Sequence, residues 1–229
     1  MPKVTRYALS ETGQLRNYPH LFRRYQRLIE LSRSLSSTLD LPALLRQIIE
    51  AACEMTDSEA ASILLVHPRT GELSFEASTQ VDFVQMESIV VPKEGSIAGW
   101  IVARAQPLII PDVRQDPRHF SQADEKLSFQ TRSVLGVPLI HRGKVFGVLE
   151  AINKLDGEFD PDDVSTLETL ASQAAVAIEN ARLFQQARRR NDYLAAAAEV
   201  GRLATSTLDV DALLEIGRAS CRERVYVLV

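Results

Sequence analysis

The chain has 229 residues, of which 45% are hydrophobic and 24% are charged, proportions that are normal for a folded globular protein. Its formal net charge of −4 gives no reason to expect a nucleic-acid partner, because such proteins concentrate lysine and arginine. The longest apolar runs fall far short of about 20 residues and the N-terminus lacks the apolar core of a secretion signal, so we expect a cytoplasmic protein without a membrane span.

The N-terminal part is predicted to contain one helix. Residues 1–18 are polar, and we expect them to be poorly ordered. Over residues 19–37, Leu21, Leu28 and Leu35 fall one heptad apart, which predicts an N-terminal signalling helix.

Residues 38–187 are predicted to form a single domain that opens with a helix and then changes to strands. Asp40 is the expected N-cap of the helix, and Pro42 falls at an early position that tolerates a missing N–H. An apolar run, a turn and an alternating run over 60–78 predict a β-hairpin. Further strands are expected at "SIVV" and "PLII", a short helix after Ser96, and a second hairpin around "HRGK".

A long helix is predicted to begin near Asp162 or Asp163. Its apolar residues alternate at intervals of three and four, which is the spacing of a coiled-coil seam. We therefore expect a parallel homodimer through the terminal helices, unless the same stripe simply covers the domain's own sheet. The stripe consists of Leu167, Leu170, Ala174, Ala177, Ala181 and Phe184, and the expected dimer seam of Leu28, Leu35, Ala181 and Phe184.

A short sequence occurs twice, as "STLDLPALL" at 37–45 and "STLDVDALL" at 206–214. Residues 188–215 are therefore interpreted as a linker helix and the start of a second, truncated domain of the same kind, unless two stereotyped caps match by chance. Residues 216–229 fit neither pattern. Their run "IGRASCRERV", which contains Cys221, matches a translated sequencing adapter, so we expect this tail to be artefactual and the natural chain to continue.

Three stretches of the chain follow one another in a family's order. They are "SILLVHPRTGELSFEAS", "VPKEGSIAGWIVARAQPLIIPDVRQDPRHF" and "SVLGVPLIHRGKVFGVLEAINKLDGEFDPDDVSTLETLASQAAVAIENARLF". Together they resemble the GAF domain, a small-molecule sensor module of cyclic-nucleotide phosphodiesterases, adenylyl cyclases and bacterial signalling proteins. The resemblance implies an α+β fold with a six-stranded antiparallel sheet. Terminal helices would cover one face, and loops and short helices would close a ligand pocket on the other.

The resemblance also implies which residues line the pocket, between the loop 112–133 and the sheet. This loop carries enough polar groups to bind a ligand, although a solvated loop would have the same composition. Gly95 and Ser96 precede a helix whose free N–H groups could meet an anion, or they form a tight turn and an N-cap. The expected ligand-binding residues are Gly95, Ile97, Trp100, Asp112, Phe120, Thr131, Ser133 and Glu150.

A motif of the cyclic-nucleotide-binding members is matched in part. Asn153, Lys154, Phe159 and Asp163 occupy its positions, but Val164 stands where the motif has a glutamate. We expect Lys154 and Asp163 to form an ion pair that braces the last strand against the long helix. A cyclic nucleotide stays among the candidate ligands, and no cofactor is required.

The sequence lacks the residues that other chemistries of the GAF family require. Chromophore attachment needs a pocket cysteine, whereas Cys53 lies on an apolar helical stripe, and free methionine sulfoxide reductases use several cysteines. Haem binding needs an axial histidine, but His119 and His141 are expected at the surface. Because no nucleophile–base pair and no metal-ligand spacing is found, we expect no enzymatic activity.

The expected function is a small-molecule-sensing regulatory module of a bacterial-type signalling protein. It would relay the state of an unknown ligand through its C-terminal helix to a downstream output domain. One alternative is a dimerisation or spacer module without a ligand. Another is the regulatory half of a sensor histidine kinase, diguanylate cyclase or phosphatase.

Overall fold

The computed structural model describes residues 34–35, 38–79, 89–122, 124 and 129–207. The predictions for residues 1–33, among them the seam residue Leu28, lie outside the described residues. So do those for 208–229, which include the start of a second domain and the tail.

The first helix, α1, spans Leu41–Thr56 and is capped as the sequence predicts. Asp40 accepts a hydrogen bond from the N–H of Ala43 at 2.9 Å, and a proline stands in the first turn. The helix ends at Asp57, which has a left-handed φ of 48°. The helix packs on the sheet through one buried stripe, which consists of Leu44, Leu45, Ile48, Ile49, Ala52 and Met55.

Six strands form one antiparallel sheet, and the architecture is α+β as predicted. The spatial order is β3-β2-β1-β6-β5-β4, so β1 and β6 are neighbours at the centre. The strands are β1 (Ser58–Val66), β2 (Leu73–Ser78), β3 (Val90–Val91), β4 (Leu108–Ile110), β5 (Val134–His141) and β6 (Lys144–Lys154).

Both faces of the sheet are covered. Alternate residues of a strand point to opposite sides, so each strand contributes to the core on each face. On β1, Ile63 and Leu65 belong to the core under α1, whereas Leu64 belongs to a second core on the other face. The second core packs under a short helix, α2 (Ile97–Arg104). A glycine permits this close approach, since a Cβ at Gly136 would lie 2.4 Å from Cδ1 of Ile101.

The last helix, α3, spans Pro161–Thr207 and begins one residue before the predicted start. Its first turn is fixed by a reciprocal cap: Asp160 accepts from the N–H of Asp163 at 2.8 Å, and Asp163 accepts from the N–H of Asp160 at 3.2 Å. Pro161 follows the cap at the position where its missing N–H costs least. No helix in the described part of the chain is long and apolar enough to span a membrane.

The predicted dimer seam divides into buried and exposed residues. The described residues fall into two compact units that divide after Arg182, and α3 contributes to both. Leu35 and Ala181 are 2% and 0% exposed and belong to the core that also contains α1. They pack within their own domain, in agreement with the alternative interpretation of the stripe. Phe184 is different, because 45% of it is exposed.

An ion pair joins the ends of three elements. Nζ of Lys154, at the end of β6, lies 2.9 Å from Asp163 at the start of α3. The same ammonium group donates to the carbonyl of Thr56, the last residue of α1, at 2.8 Å, and lies 5.9 Å from the ring centre of Phe159. Asp163 is 1% exposed, so the predicted brace is present and buried.

Asn153 holds the segment that enters β5. Its Oδ1 accepts hydrogen bonds from the N–H groups of Arg132 and Ser133, and its Nδ2 donates to Gln130 and Glu59. The side chain is fully buried and its backbone has a left-handed φ of 59°. Asn153 and Lys154, the first two residues of the partly matched cyclic-nucleotide motif, therefore both make contacts that hold the fold together at this end of the sheet.

We expect Lys154→Met to lower the free energy of unfolding by about 3 kcal/mol, because the buried carboxylate of Asp163 loses its cation. The control is Arg114→Met, which removes a cation from the exposed pair with Asp112 at 2.8 Å. Urea denaturation followed by circular dichroism should show a lower midpoint for Lys154→Met and no measurable change for the control. Equal effects of the two changes would contradict the stabilising role of the buried pair.

Candidate functional site

A pocket lies on the face of the sheet that is turned away from α1. It has an empty volume of about 690 Å³, which includes space open to solvent. Strands β1, β5 and β6 supply its floor, α2 one side, and the loop between β4 and β5 the other. The apolar walls are formed by Leu64, Phe75, Ile97, Phe120, Val134 and Ile152.

The floor carries a carboxylate between apolar strands. Ser62 of β1 pairs directly with Glu150 of β6, and its hydroxyl donates to Oε2 of Glu150 at 3.0 Å. Ser62 and Glu150 are 1% and 8% exposed. Burial raises the pKa of Glu150 to about 7, although the hydrogen bond from Ser62 opposes the rise. Among the described residues, Ser62 is the only hydrogen-bond partner of this carboxylate.

The N-terminus of α2 borders the pocket, but two of its N–H donors, those of Ile97 and Gly99, are engaged. Ser96 is the N-cap: its Oγ accepts from the N–H of Gly99 at 3.0 Å and donates to the carbonyl of Pro92. The N–H of Ile97 donates to the carbonyl of Arg118 at 3.1 Å. Of the two interpretations of this segment, the structure therefore favours the turn and cap over the anion site.

Asp124 organises the loop that closes the pocket. Its Oδ1 accepts from the hydroxyl of Thr131 at 2.7 Å, and its Oδ2 accepts from the N–H of the same residue at 3.0 Å. Nε2 of His119 lies 3.2 Å from Oδ2. These contacts join three positions of the loop, and His119, Asp124 and Thr131 all line the pocket.

Arg118 lines the pocket without offering a free positive charge. Its guanidinium donates to Asp116 at 2.9 Å and 2.7 Å, and these bonds hold the pKa of Asp116 below its usual range. The same group stacks 5.3 Å from the ring centre of Trp100. The charge is therefore neutralised by a bidentate pair.

Four of the eight predicted ligand-binding residues line the pocket: Ile97, Phe120, Thr131 and Glu150. The structure brings them together from α2, the loop and β6. The other four do not line it. Gly95 has a φ of 77° and forms the turn before α2, and Trp100 stacks against Arg118 instead.

The remaining two predicted residues have other partners. Asp112 caps the 3₁₀ turn Val113–Gln115 and pairs with the exposed Arg114, whose hydrogen bonds hold the pKa of Asp112 below its usual range. Ser133 accepts from the backbone N–H of Lys154 at 3.2 Å. Neither residue is among those that line the pocket, because a loop can turn its polar groups in either direction.

Sequence reasoning missed most of the lining residues, among them Ser62, Phe75, Asp124 and Phe129. Ser62 carried a usable signal, since it is the only polar side chain in the run "AASILLV" of a buried strand. A polar residue at such a position needs a partner. Asp124 carried none, because it lies in a polar loop whose contacts depend on the tertiary fold.

No metal site is found in the part of the chain that the structure describes, where no group of three or more histidine, cysteine or acidic side chains could hold an ion. Cys53 is a free, partly buried thiol on α1, and burial raises its pKa. It lies on the helix-covered side of the sheet, away from the pocket.

Comparisons with known proteins identify the family to which this fold and pocket correspond. A family model described as "GAF domain" matches residues 38–179. The chain is 30% identical over 183 residues to the dual 3',5'-cyclic-AMP and -GMP phosphodiesterase 11A of Takifugu rubripes. That match covers 75% of this chain and 20% of the relative, so the chain spans about a fifth of its length.

Solved structures show the same fold. The GAF domain from a phosphoenolpyruvate-protein phosphotransferase of Coxiella burnetii has a TM-score of 0.65 at 19% identity, over 72% of this chain and 98% of that one. Free methionine-R-sulfoxide reductase from Neisseria meningitidis, solved with its substrate, has a TM-score of 0.60 at 20% identity, over 79% of this chain and 98% of that one. At these identities the likeness is one of fold.

We expect Glu150→Gln to change how stability depends on pH. Because the pKa of Glu150 is raised from 4.5 to about 7 on folding, the folded state binds more protons between these values. Stability therefore falls as pH rises through this window and levels off above it. Above pH 7 the Gln variant should be more stable than the parent by on the order of 2–3 kcal/mol, and near pH 4.5 the difference should vanish.

Urea midpoints between pH 4.5 and 8 measure this difference. The matched control is Glu168→Gln, which removes a carboxylate from an exposed position of α3 and should leave the pH profile unchanged. The other charged groups of the pocket, Arg118, His119 and Asp124, are the same in the parent and in both variants, so they do not contribute to the difference between the profiles. A Glu150→Gln variant less stable than the parent at pH 8 would show that the buried carboxylate does not destabilise the fold.

Proposed function

Because the chain belongs to the GAF domain family, we propose that it is a small-molecule-sensing regulatory module whose ligand binds between the sheet and the loop 112–131. The observation that carries the proposal is the carboxylate of Glu150 at the pocket floor, which is buried and has no cation beside it among the described residues. Such a group costs folding free energy, and perturbed carboxylates in clefts are typical of functional sites. A bound ligand would offset that cost.

The proposed route from ligand to output runs along β6. Glu150 and Lys154 belong to this strand, and Lys154 pairs with Asp163 in the first turn of α3. A ligand that moves Glu150 would thereby act on the start of α3, and α3 would carry the change to a downstream output domain. The ligand can shift this equilibrium only by its difference in affinity for the two states.

We propose that the described region binds its ligand without converting it. The relative from Takifugu rubripes is named as a phosphodiesterase, but this chain matches only 20% of it. Ser62 lies beside Glu150, an arrangement of hydroxyl and base, yet Ser62 is 1% exposed and its hydroxyl already donates to the carboxylate, which leaves little of it open to a substrate. Cyclic nucleotides are therefore tested as ligands.

A thermal-shift screen of cyclic nucleotides, amino acids, amines and small carboxylates tests the proposal. At 100 times its dissociation constant, a ligand stabilises the folded state by about 2.7 kcal/mol and raises the melting temperature. We expect Phe120→Ala to weaken the binding of a hit roughly tenfold or more, because Phe120 forms part of the pocket wall. Phe184→Ala removes an exposed phenylalanine outside the pocket and should have no effect.

Binding that persists in both Phe120→Ala and Ile97→Ala would place the site elsewhere. Absence of any hit from the screen would count against ligand sensing itself and favour the second candidate function.

That second candidate is dimerisation through α3, and exposed apolar side chains favour it. Val176 and Leu183 stand seven residues apart, as do Tyr193 and Val200, which is coiled-coil spacing. Exposed apolar side chains in such a series are typical of an interface. Those that are 45–74% exposed on α3 are Val176, Leu183, Phe184, Tyr193, Leu194 and Val200.

We expect Phe184→Glu to dissociate a dimer without unfolding the domain, since a charge in a desolvated seam costs on the order of 3 kcal/mol. Sedimentation velocity at micromolar concentration measures the association. Gln186→Glu adds the same charge at an exposed neighbouring position and should leave the dimer intact. A parent chain that is already monomeric at this concentration would rule out the dimer.

A further inference from the structure

We propose that the ligand of this pocket is a compact organic cation, an ammonium or amidinium group on an apolar or aromatic body, held by the carboxylate of Glu150. This inference rests on the proposed function and narrows it to one class of compound. It is drawn from the charges that line the pocket, from the state of its hydrogen-bond donors and from its apolar walls.

Among the described charged groups around the pocket, one carboxylate has no cation beside it. Arg118 forms a bidentate pair with Asp116, and His119 lies 3.2 Å from Asp124. Glu150 accepts a single hydrogen bond, from the hydroxyl of Ser62. A carboxylate has about four acceptor sites, so most of the capacity of Glu150 is unused within the described residues.

Several of the donors that an anionic ligand would need are already engaged. The N–H groups of Ile97 and Gly99 at the start of α2 are bonded to Arg118 and Ser96. The hydroxyl of Thr131 donates to Asp124. An anion entering the pocket would lose its hydration, meet the charge of Glu150, and compete for each of these bonds.

The walls suit the rest of such a ligand. Phe75, Phe120 and Phe129 supply aromatic surface, and the aliphatic residues of the floor strands complete an apolar enclosure around Glu150. A ligand with a cationic head and an apolar body would bury the body against these walls and place its N–H donors on the carboxylate. Charge-assisted hydrogen bonds of this kind are the strong ones.

Three probes of nearly equal shape test the charge preference: benzamidine, benzamide and benzoate, which place a cationic, neutral or anionic group on one phenyl ring. Their binding to the full chain is measured by NMR titration at pH 6, 7 and 8. We expect benzamidine to bind at least tenfold more tightly than benzoate or benzamide at pH 8. Phe120→Ala should weaken the benzamidine complex.

The pH dependence identifies the carboxylate that binds. If Glu150 must be ionised, the affinity for benzamidine should fall roughly tenfold from pH 8 to pH 6, since the pKa of Glu150 is about 7. Glu150→Gln should abolish both the charge preference and this fall, whereas Glu168→Gln should preserve them. A pH dependence that persists unchanged in Glu150→Gln would show that another group of the pocket sets it, and would overturn the assignment to Glu150.

Each remaining outcome decides between the two proposals. Benzoate or benzamide binding as tightly as benzamidine, with the loss in Phe120→Ala retained, would overturn the cation preference and leave the sensing function standing. If none of the three probes binds, the hit that the thermal-shift screen places at Phe120 decides. A cationic hit lost in Glu150→Gln supports the inference, a neutral or anionic hit overturns it, and no hit overturns both proposals.

Discussion

The buried pair of Lys154 and Asp163 is the interaction on which the arrangement of the elements depends. It joins the end of β6 to the first turn of α3, and the same ammonium group binds the last carbonyl of α1. Two charges that are removed from water are stable only when they stay paired with each other. The pair therefore restricts how the ends of α1 and β6 and the start of α3 are placed relative to one another. The reciprocal cap at Asp160 and Asp163 then sets where α3 begins.

A second buried carboxylate, Glu150, lies on β6, and its surroundings differ from those of Asp163 on α3. Asp163 is buried with a cation, whereas the partner of Glu150 among the described residues is a serine hydroxyl. The first arrangement stabilises the fold, and the second costs folding free energy and raises the pKa of the carboxyl group. A protein retains such a cost most readily where a ligand can offset it, which distinguishes the pocket from the structural end of the strand.

Local features of the fold were predictable from the sequence, and the pocket was predictable only in part. Asp40 and Ser96 were identified as caps because an N-cap bonds to residues within three positions of itself. The partnership of Ser62 with Glu150 spans 88 positions and depends on the register of two strands. Trp100 lies on a helix that was predicted, but it does not line the pocket, because it stacks against Arg118 of a loop that only the tertiary fold brings near.

The two faces of the sheet explain how ligand binding and helix packing can be coupled without a contact between ligand and helix. Glu150 faces the pocket, while its neighbours Leu149 and Ala151 are fully buried in the core that contains Leu167 and Leu170 of α3. A close-packed core resists small displacements, so a change in the backbone of β6 at Glu150 must be accommodated by the residues on its other face. Coupling through this strand requires two discrete packings of α3 on the sheet, with the ligand favouring one of them.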